Sequence, residues 1–474
     1  MKSRTLKFAV GIVLLAELAT PFLLAAQNTQ FAVVDTGTLG GPNSFLGFEQ
    51  SRNINNRGTI AASTDTAIPA NPPFCFNDCN VEHTTRWQNG VLTDLGTIPN
   101  GSGGTSWISD SGFIAGLSFN GLLDPLTGAP ELQGVLWDRS QVIALGTLGG
   151  NESNGESVNS RGEVVGFALN TIPDPFSGFG TQMRAFLWRD GKMQDLDTLG
   201  GPDANAFIVN EGSQVTGYSL TNSTPNATTG FPTQEPFLWK GGSMITLGTL
   251  GGTFGFPNWL NNRGQVVGQS DLAGDFSFHP FLWEGSALRD LGTLGGDFGT
   301  AYSISESGDV VGWSTTPGDS AVHAFLWSGG TITDLGVLEG EVCSVAYAVN
   351  TKRQVVGYSD DDCNHGNAHA FLWENGVMID LNSFVPPDSG VQLTFALSIS
   401  ERGEIATLGL LPNGDQHVFA VMPTGQKAGL SASTTKVGHP GNAVSRPTPS
   451  DLITRIRVQM GKRYRTPARG GAWK

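Results

Sequence analysis

One phrase recurs eight times in this chain, and self-similarity at a fixed period narrows the fold more than any single motif does. Its cleanest copy spans residues 291–327, LGTLGGDFGTAYSISESGDVVGWSTTPGDSAVHAFLW, and SGGTITDLGVL opens the next. Successive copies lie 44 to 59 residues apart. Each holds four short segments with β character. The first ends in a tripeptide such as NIN (53–55), SVN (157–159) or AVN (348–350), and a turn follows that is usually closed by glycine, as at Gly58, Gly112, Gly162, Gly264, Gly308 and Gly403. Asn or Ser with Gly three residues on suits a type I turn followed by a left-handed residue. The second segment is VVG, the third AFLW, and the fourth DLGTL or a relative. NGV at 89–91 and 375–377 marks a tight hairpin between the last two.

The order of these landmarks carries topology. The third segment ends at Trp87, Trp137, Trp188, Trp239, Trp283, Trp327 and Trp373, with Val421 in the eighth copy. Before the first complete copy stands a lone fourth segment, FAVVDTGTLGG (31–41), and the last copy stops at a lone third segment, HVFAVMP (417–423). Each supplies what the other lacks. The expectation is an all-β fold: an eight-bladed β-propeller of four-stranded blades, closed by pairing the N-terminal strand with the last blade, which leaves few sheet edges exposed. An open β-solenoid is the alternative, but it has no need of complementary ends. A column of compact residues, Ser51, Thr105, Gly155, Ala206, Pro257, Ala301, Ala346 and Ala396, reads as innermost strands crowded around the axis, and the in-phase tryptophans as filler between blades.

Residues 1–26 read as a secretory signal peptide. Lys2, Arg4 and Lys7 precede an apolar stretch, and Ala25 and Ala26 offer a cleavage point. A retained anchor is the alternative, against which Glu17 and Pro21 interrupt the run. Residues 27–423 form the repeat domain, with 14 basic and 40 acidic residues, so this core is expected to repel nucleic acid. Residues 424–474 form a basic tail, ten Lys or Arg against Asp451 alone. The tail is expected to be disordered, with an electrostatic contact to an anionic envelope polymer as its functional reading. Cys343 and Cys363 flank a hairpin turning at 350–353, and Cys75 and Cys79 share one loop. Two disulfides in an oxidising compartment are expected, with a CxxxC metal site as the rival reading.

The HAFLW strings at 323–327 and 369–373, with HPFLW at 279–283, resemble the extracellular HAF repeat of secreted bacterial proteins. The resemblance covers nearly all of residues 31–423 and rests on tripeptide, glycine turn and LGTLGG recurring together. It implies a secreted repeat protein and brings no activity with it. Copies 2 to 4 depart from the motif, with QGVLW, RAFLW and EPFLW.

Repetition also disciplines the search for chemistry. His83, His279, His323, His369 and His417 hold one phase, which Gln133, Arg184 and Glu235 fill in other copies. Such a position calls for a polar hydrogen-bonding side chain rather than a proton shuttle. LGTLGG lacks the lysine and helix of a phosphate loop and reads as blade-to-blade turn chemistry. Outside the repeat, Asp360, Asp361, Asp362 and His365 form an oxygen-rich loop that is a candidate for calcium, the one cofactor the sequence suggests; solvated loop acids are the alternative. No nucleophile-elbow or zincin motif is present. The variable joins between second and third segments are long in copies 1 to 4, at 63–82, 119–132, 169–183 and 219–234. The expected function is therefore a secreted, non-catalytic interaction protein that holds an extracellular protein or glycan through those loops. The alternative is a glycan-active hydrolase or lyase working in the axial funnel.

Overall fold

The computed structural model describes residues 29–427 other than 48–50, 76, 100, 140, 228, 364 and 365. The expected signal peptide, His365 and the tail beyond residue 427 lie outside the described residues. Among the described residues the structure is all β, with two short 3-10 turns at Pro317–Asp319 and Leu381–Phe384. Strands gather into six four-stranded antiparallel sheets and one of eight strands. The latter is two four-stranded units joined at a single parallel pair, Gln234 with Phe254. The sixth unit is typical: Gly299–Ile304, Val310–Thr315, Val322–Ser328 and Thr331–Asp334 lie side by side in chain order. The second repeat segment thus forms the second strand, and HAFLW the third.

The two ends of the described chain share a sheet. Thr29–Asp35 pairs antiparallel with Gln416–Lys427, which continues past the expected boundary at residue 423 and carries the lone third segment. Neighbouring sheets pack face to face, and the same packing joins last to first. Val267 and Leu282 of the fifth unit meet Ala301, Phe325 and Trp327 of the sixth. Ala406, Val418 and Ala420 of the eighth unit meet Ile54, Ile60 and Trp87 of the first. Trp87, Trp137, Trp188, Trp239, Trp283 and Trp327 are all buried, each contributing roughly 1.5–3 kcal/mol of burial. The arrangement is that of a β-propeller.

Asparagine stitches one turn to the next. Asn55, Asn159, Asn210, Asn261 and Asn350 donate from Nδ2 to a carbonyl in the next sheet's turn, at Ser109, Asn210, Asn261, Ser305 and Ser400. Between eighth and first sheets the Oγ of Ser398 donates to the Ser51 carbonyl and accepts from the Asn53 amide, both at 3.1 Å. The tripeptide of the repeat is thus a sheet-to-sheet clamp.

The compact column has a different cause from axial crowding. Ala206, Ala301, Ala346 and Ala396 lie in the cores between sheets. Ala206, Ala301 and Ala346 stand opposite the second-segment glycines Gly217 (of VTG), Gly312 and Gly357 (of VVG), and a one-residue bulge follows each. At that bulge the first strand presses its carbonyl onto the second: a Cβ on Gly312 would sit 1.9 Å from the Thr300 oxygen. The glycine and its small partner belong to one bulged crossing, and the axis is lined instead by residues after the bulge, among them Trp107, Ile208 and Trp259.

Candidate functional site

Three joins between second and third strands form extended hairpins. Ile60–Pro69, Ile114–Leu123 and Val164–Pro173 each run to ten residues, against six for Val310–Thr315. Their outer pairs, Pro69 with Asn80, Leu123 with Pro130 and Pro173 with Thr181, stand beyond the regular ladder. Large aliphatic side chains are exposed there: Ile68 at 59%, Leu122 at 61%, Leu126 at 66% and Ile172 at 53%. The hairpins also touch one another. Phe74 of the first join lies edge-on to Phe119 of the second, 6.1 Å between ring centroids, and Leu126 of the second covers Gly180 of the third. Beneath the third, Phe179 is 2% exposed and packs on Phe167 and Met183. The fourth join, expected to share this surface, has no such strand extension: its second strand stops at Leu220 and its third begins at Gln234. Five exposed large aliphatic side chains, Ile68, Leu122, Leu123, Leu126 and Ile172, thus cluster on these three hairpins, whereas Ile245, Phe276, Val377 and Leu410 are scattered singly over the later units.

The first hairpin also holds a cluster of acids that the sequence reading passed over. Asp65 and Glu82 are cross-strand partners, both 0% exposed, and Asp78 projects from the connecting loop. One carboxylate oxygen from each lies within 4.8 Å of the others. Neutral donors orient them. Asp65 Oδ2 accepts from the Asn43 amide at 2.8 Å, Asp78 accepts from Asn43 Nδ2 and the Asn80 amide, and Glu82 accepts from the Asn77 amide and Nδ2. The second Asp65 oxygen, Oδ1, is buried without a hydrogen-bond partner. Burial, and then the neighbouring Asp78, pushes the Asp65 carboxyl up to about 7, and burial pushes Glu82 up to about 8. Burial acts on Asp78 in the same sense, but its hydrogen bonds from Asn43 and Asn80 outweigh it and hold that carboxyl low. The Cys75–Cys79 disulfide, Cα atoms 4.6 Å apart, staples the loop between them. The sequence signal was the period-2 pattern on either side of CxxxC, which sets Asp65 opposite Glu82 once the hairpin register is known.

The acidic loop singled out from sequence is present in part. Asp360, Asp361 and Asp362 bring carboxylate oxygens within 4.8 Å of one another. The Cys343–Cys363 disulfide closes the segment, with Cα atoms 5.4 Å apart. Asp360 accepts from the Asp362 amide at 3.0 Å and Asp361 from Asn367 Nδ2 at 3.1 Å. Both expected disulfides thus form, and they suit an oxidising compartment.

The repeated histidines are structural. Nδ1 of His83, His279, His323 and His417 lies 2.8–3.0 Å from Asp94, Asp290, Asp334 and Asp35, the aspartates of the fourth segment. Arg184 meets Asp195 in the same place, while His369 turns to Glu341. Partial burial alone would raise the carboxyls of Asp35, Asp290 and Asp334. Hydrogen bonds from the histidine and from the amide of Gly37, Gly292 or Gly336 outweigh it and hold Asp35, Asp290 and Asp334 below the usual range. The first H of HAF and the D of DLGT are thus two halves of one strand-to-strand contact.

The axis encloses a cavity of about 350 Å³ lined from each of the four-stranded units. Trp107 and Trp259, from the second and fifth, meet across it with ring centroids 5.0 Å apart. Four carboxylates line it on alternate sheets, Asp110, Glu211, Glu306 and Glu401. Each accepts the backbone N–H of its predecessor, from Asn56, Ser160, Asn262 and Thr351 respectively. These acids are engaged in holding sheets together. Elsewhere burial pushes the Glu156 carboxyl up to about 7 beside Asn154, whose Nδ2 donates to it at 2.8 Å.

No protein-family profile matches the chain, and no curated protein matches it. Among solved structures it is similar to the β-propeller domain of the trilobed protease from Pyrococcus furiosus, with a TM-score of 0.43 and 10% identity over 73% of this chain and 98% of that one. It is also similar to Porphyromonas gingivalis dipeptidyl peptidase 4, with a TM-score of 0.48 and 9% identity over 81% of this chain and 59% of that one. A third is an ulvan lyase of polysaccharide lyase family PL25, with a TM-score of 0.38 and 11% identity over 83% of this chain and 96% of that one. At such identities and scores neither activity nor substrate transfers.

Proposed function

We propose that this chain is a secreted, non-catalytic interaction protein of the HAF-repeat kind. Its eight sheets close into an eight-bladed propeller that holds an extracellular protein or glycan on the hairpins of the first three blades. One observation carries the reading: three adjacent hairpins extend beyond the ladder, touch one another, and expose Ile68, Leu122, Leu126 and Ile172. Exposed aliphatic side chains grouped on a rigid scaffold are the usual mark of a docking surface. Aliphatic rather than aromatic tips favour a protein over a sugar ring as the partner. Anchoring by Phe179 and by the Cys75–Cys79 staple lowers the entropy lost when the tips are immobilised. Against catalysis in the funnel stands the engagement of its four carboxylates with backbone amides. The two disulfides and the HAF resemblance support export, and the basic tail supplies an envelope contact. Arrays of extracellular proteins and of glycans, with product analysis on every hit, test this reading. Binding without turnover supports it, whereas a released oligosaccharide or peptide would move the site into the funnel and make the chain a hydrolase or lyase.

A further inference from the structure

We propose that Asp65, Asp78 and Glu82 form a calcium site that braces the first hairpin. Opposed like charges destabilise an antiparallel pair, and Asp65 faces Glu82 directly with both side chains wholly buried. No ion pair among the described residues involves any of the three acids. Apart from the carboxyl-to-carboxyl contact of Asp65 with Asp78, their hydrogen bonds come from amides, which fix the carboxylates in place and supply no cation to compensate them. Burial of unpaired charge is among the most expensive arrangements in a protein. Asp65 Oδ1 is buried without a donor in a cluster where one oxygen from each acid lies within 4.8 Å of the others, and this identifies what is missing. A hard cation supplies it: calcium takes carboxylate oxygens from a partly flexible loop, with water completing its shell.

The competing occupant is a proton shared among the acids. The two differ in what else they do: the proton is present at any calcium concentration, whereas the cation makes hairpin stability depend on calcium. The other acidic group does not share the argument, because no orphaned oxygen accompanies Asp360, Asp361 and Asp362.

The test is a calcium titration of the full chain after chelator treatment, near neutral pH, by calorimetry and thermal melting. One calcium per chain is expected to bind at this site with a Kd on the order of 10⁻⁴–10⁻³ M or tighter, the range of extracellular modules, and to raise the melting temperature. Asp65→Asn and Glu82→Gln should each weaken binding at least about tenfold, equivalent to about 1.4 kcal/mol. In chelator both variants should melt no lower than the wild type, because each removes one of two opposed charges. Asp360→Asn with Asp362→Asn should leave this binding event in place. Absence of heat and of a melting shift in the wild type would hand the cluster to the proton and overturn the proposal. So would binding that survives Asp65→Asn unchanged. The wild-type titration decides the matter even if a variant fails to fold, and it is independent of whether the hairpin tips hold a partner.

Discussion

Replacing Phe31 by alanine asks whether the two ends of the chain are one structural unit. Phe31 stands on Thr29–Asp35, the outer strand of the eighth unit, whose ladder partner among the described residues is Gln416–Lys427. Its side chain is 8% exposed, its ring lies edge-on to Phe384 at 5.2 Å, and it shares a core with Leu381, Leu393, Phe419 and Val421. Truncating a buried phenylalanine costs about 3–5 kcal/mol, and an outer strand relaxes more readily than a central one, so a loss of about 3 kcal/mol is expected. At an unfolding entropy near 2.1 cal/mol/K per residue, a cooperative unit of roughly 400 residues would lose about 4 °C of melting temperature. Ile245→Ala is the control. It lies on Ser243–Thr246, the outer strand of the fourth unit, and is 45% exposed, so its effect should stay within about 0.5 kcal/mol. Scanning calorimetry reads the shift, and limited proteolysis should cut the variant first between residues 392 and 427. If Phe31→Ala melts with the control and is cut no faster, the N-terminal strand is not integral and closure through the ends is refuted.

Gly312→Ala places a Cβ 1.9 Å from a backbone oxygen; it should cost about 1–3 kcal/mol by chemical denaturation, while Ala62→Gly, at the equivalent position of the first sheet, should cost less than about 1 kcal/mol. His417 is raised above its usual value chiefly by its hydrogen bond to Asp35, and Asp35 is lowered. The raised histidine stabilises fully below its unfolded value of about 6.5 and loses that contribution as pH rises through its folded value. The lowered aspartate stabilises above its unfolded value of about 3.9 and loses it as pH falls. The pair is thus strongest between those limits, and His417→Gln should flatten the stability profile at and just above pH 6.5 in melts taken across pH. Replacing Cys343 and Cys363 together by serine opens a loop of sequence separation 20 and should cost about 3 kcal/mol, read by denaturant titration without reductant.

Much of the architecture was visible in residues 29–427 because it is written eight times. Turn glycines, the complementary ends and the hydrogen-bonding role of the histidine phase all follow from periodicity, and the strand pairing of Thr29–Asp35 with Gln416–Lys427 matches the two incomplete units. What periodicity hid was anything that depends on two segments meeting. For His83, His279 and His323 the partner is an aspartate eleven positions on, and for His417 it is Asp35 at the far end of the chain, visible only once the third and fourth strands are placed in register. The small column looked axial because its residues lie on innermost strands, yet the bulge beside it turns those side chains into the inter-sheet core. Trp107 and Trp259 meet across the axis, which no local pattern encodes. The acids of the first hairpin escaped notice for a related reason: Asp65 and Glu82 belong to a single non-repeating join, where only strand register brings them together.

Binding at the three hairpins without turnover admits a direct test. The direct measurement is a binding titration of the strongest array partner against the wild type and a variant carrying Leu122→Ser, Leu126→Ser and Ile172→Ser, with product analysis of the same samples. All three side chains are exposed, so the variant should fold as the wild type does. Affinity should fall at least about 100-fold, the effect of losing about 2.7 kcal/mol from a shared apolar contact, and the partner should be recovered intact. Equal affinity in the variant, or a cleaved partner with the wild type, would contradict binding at the hairpins without turnover.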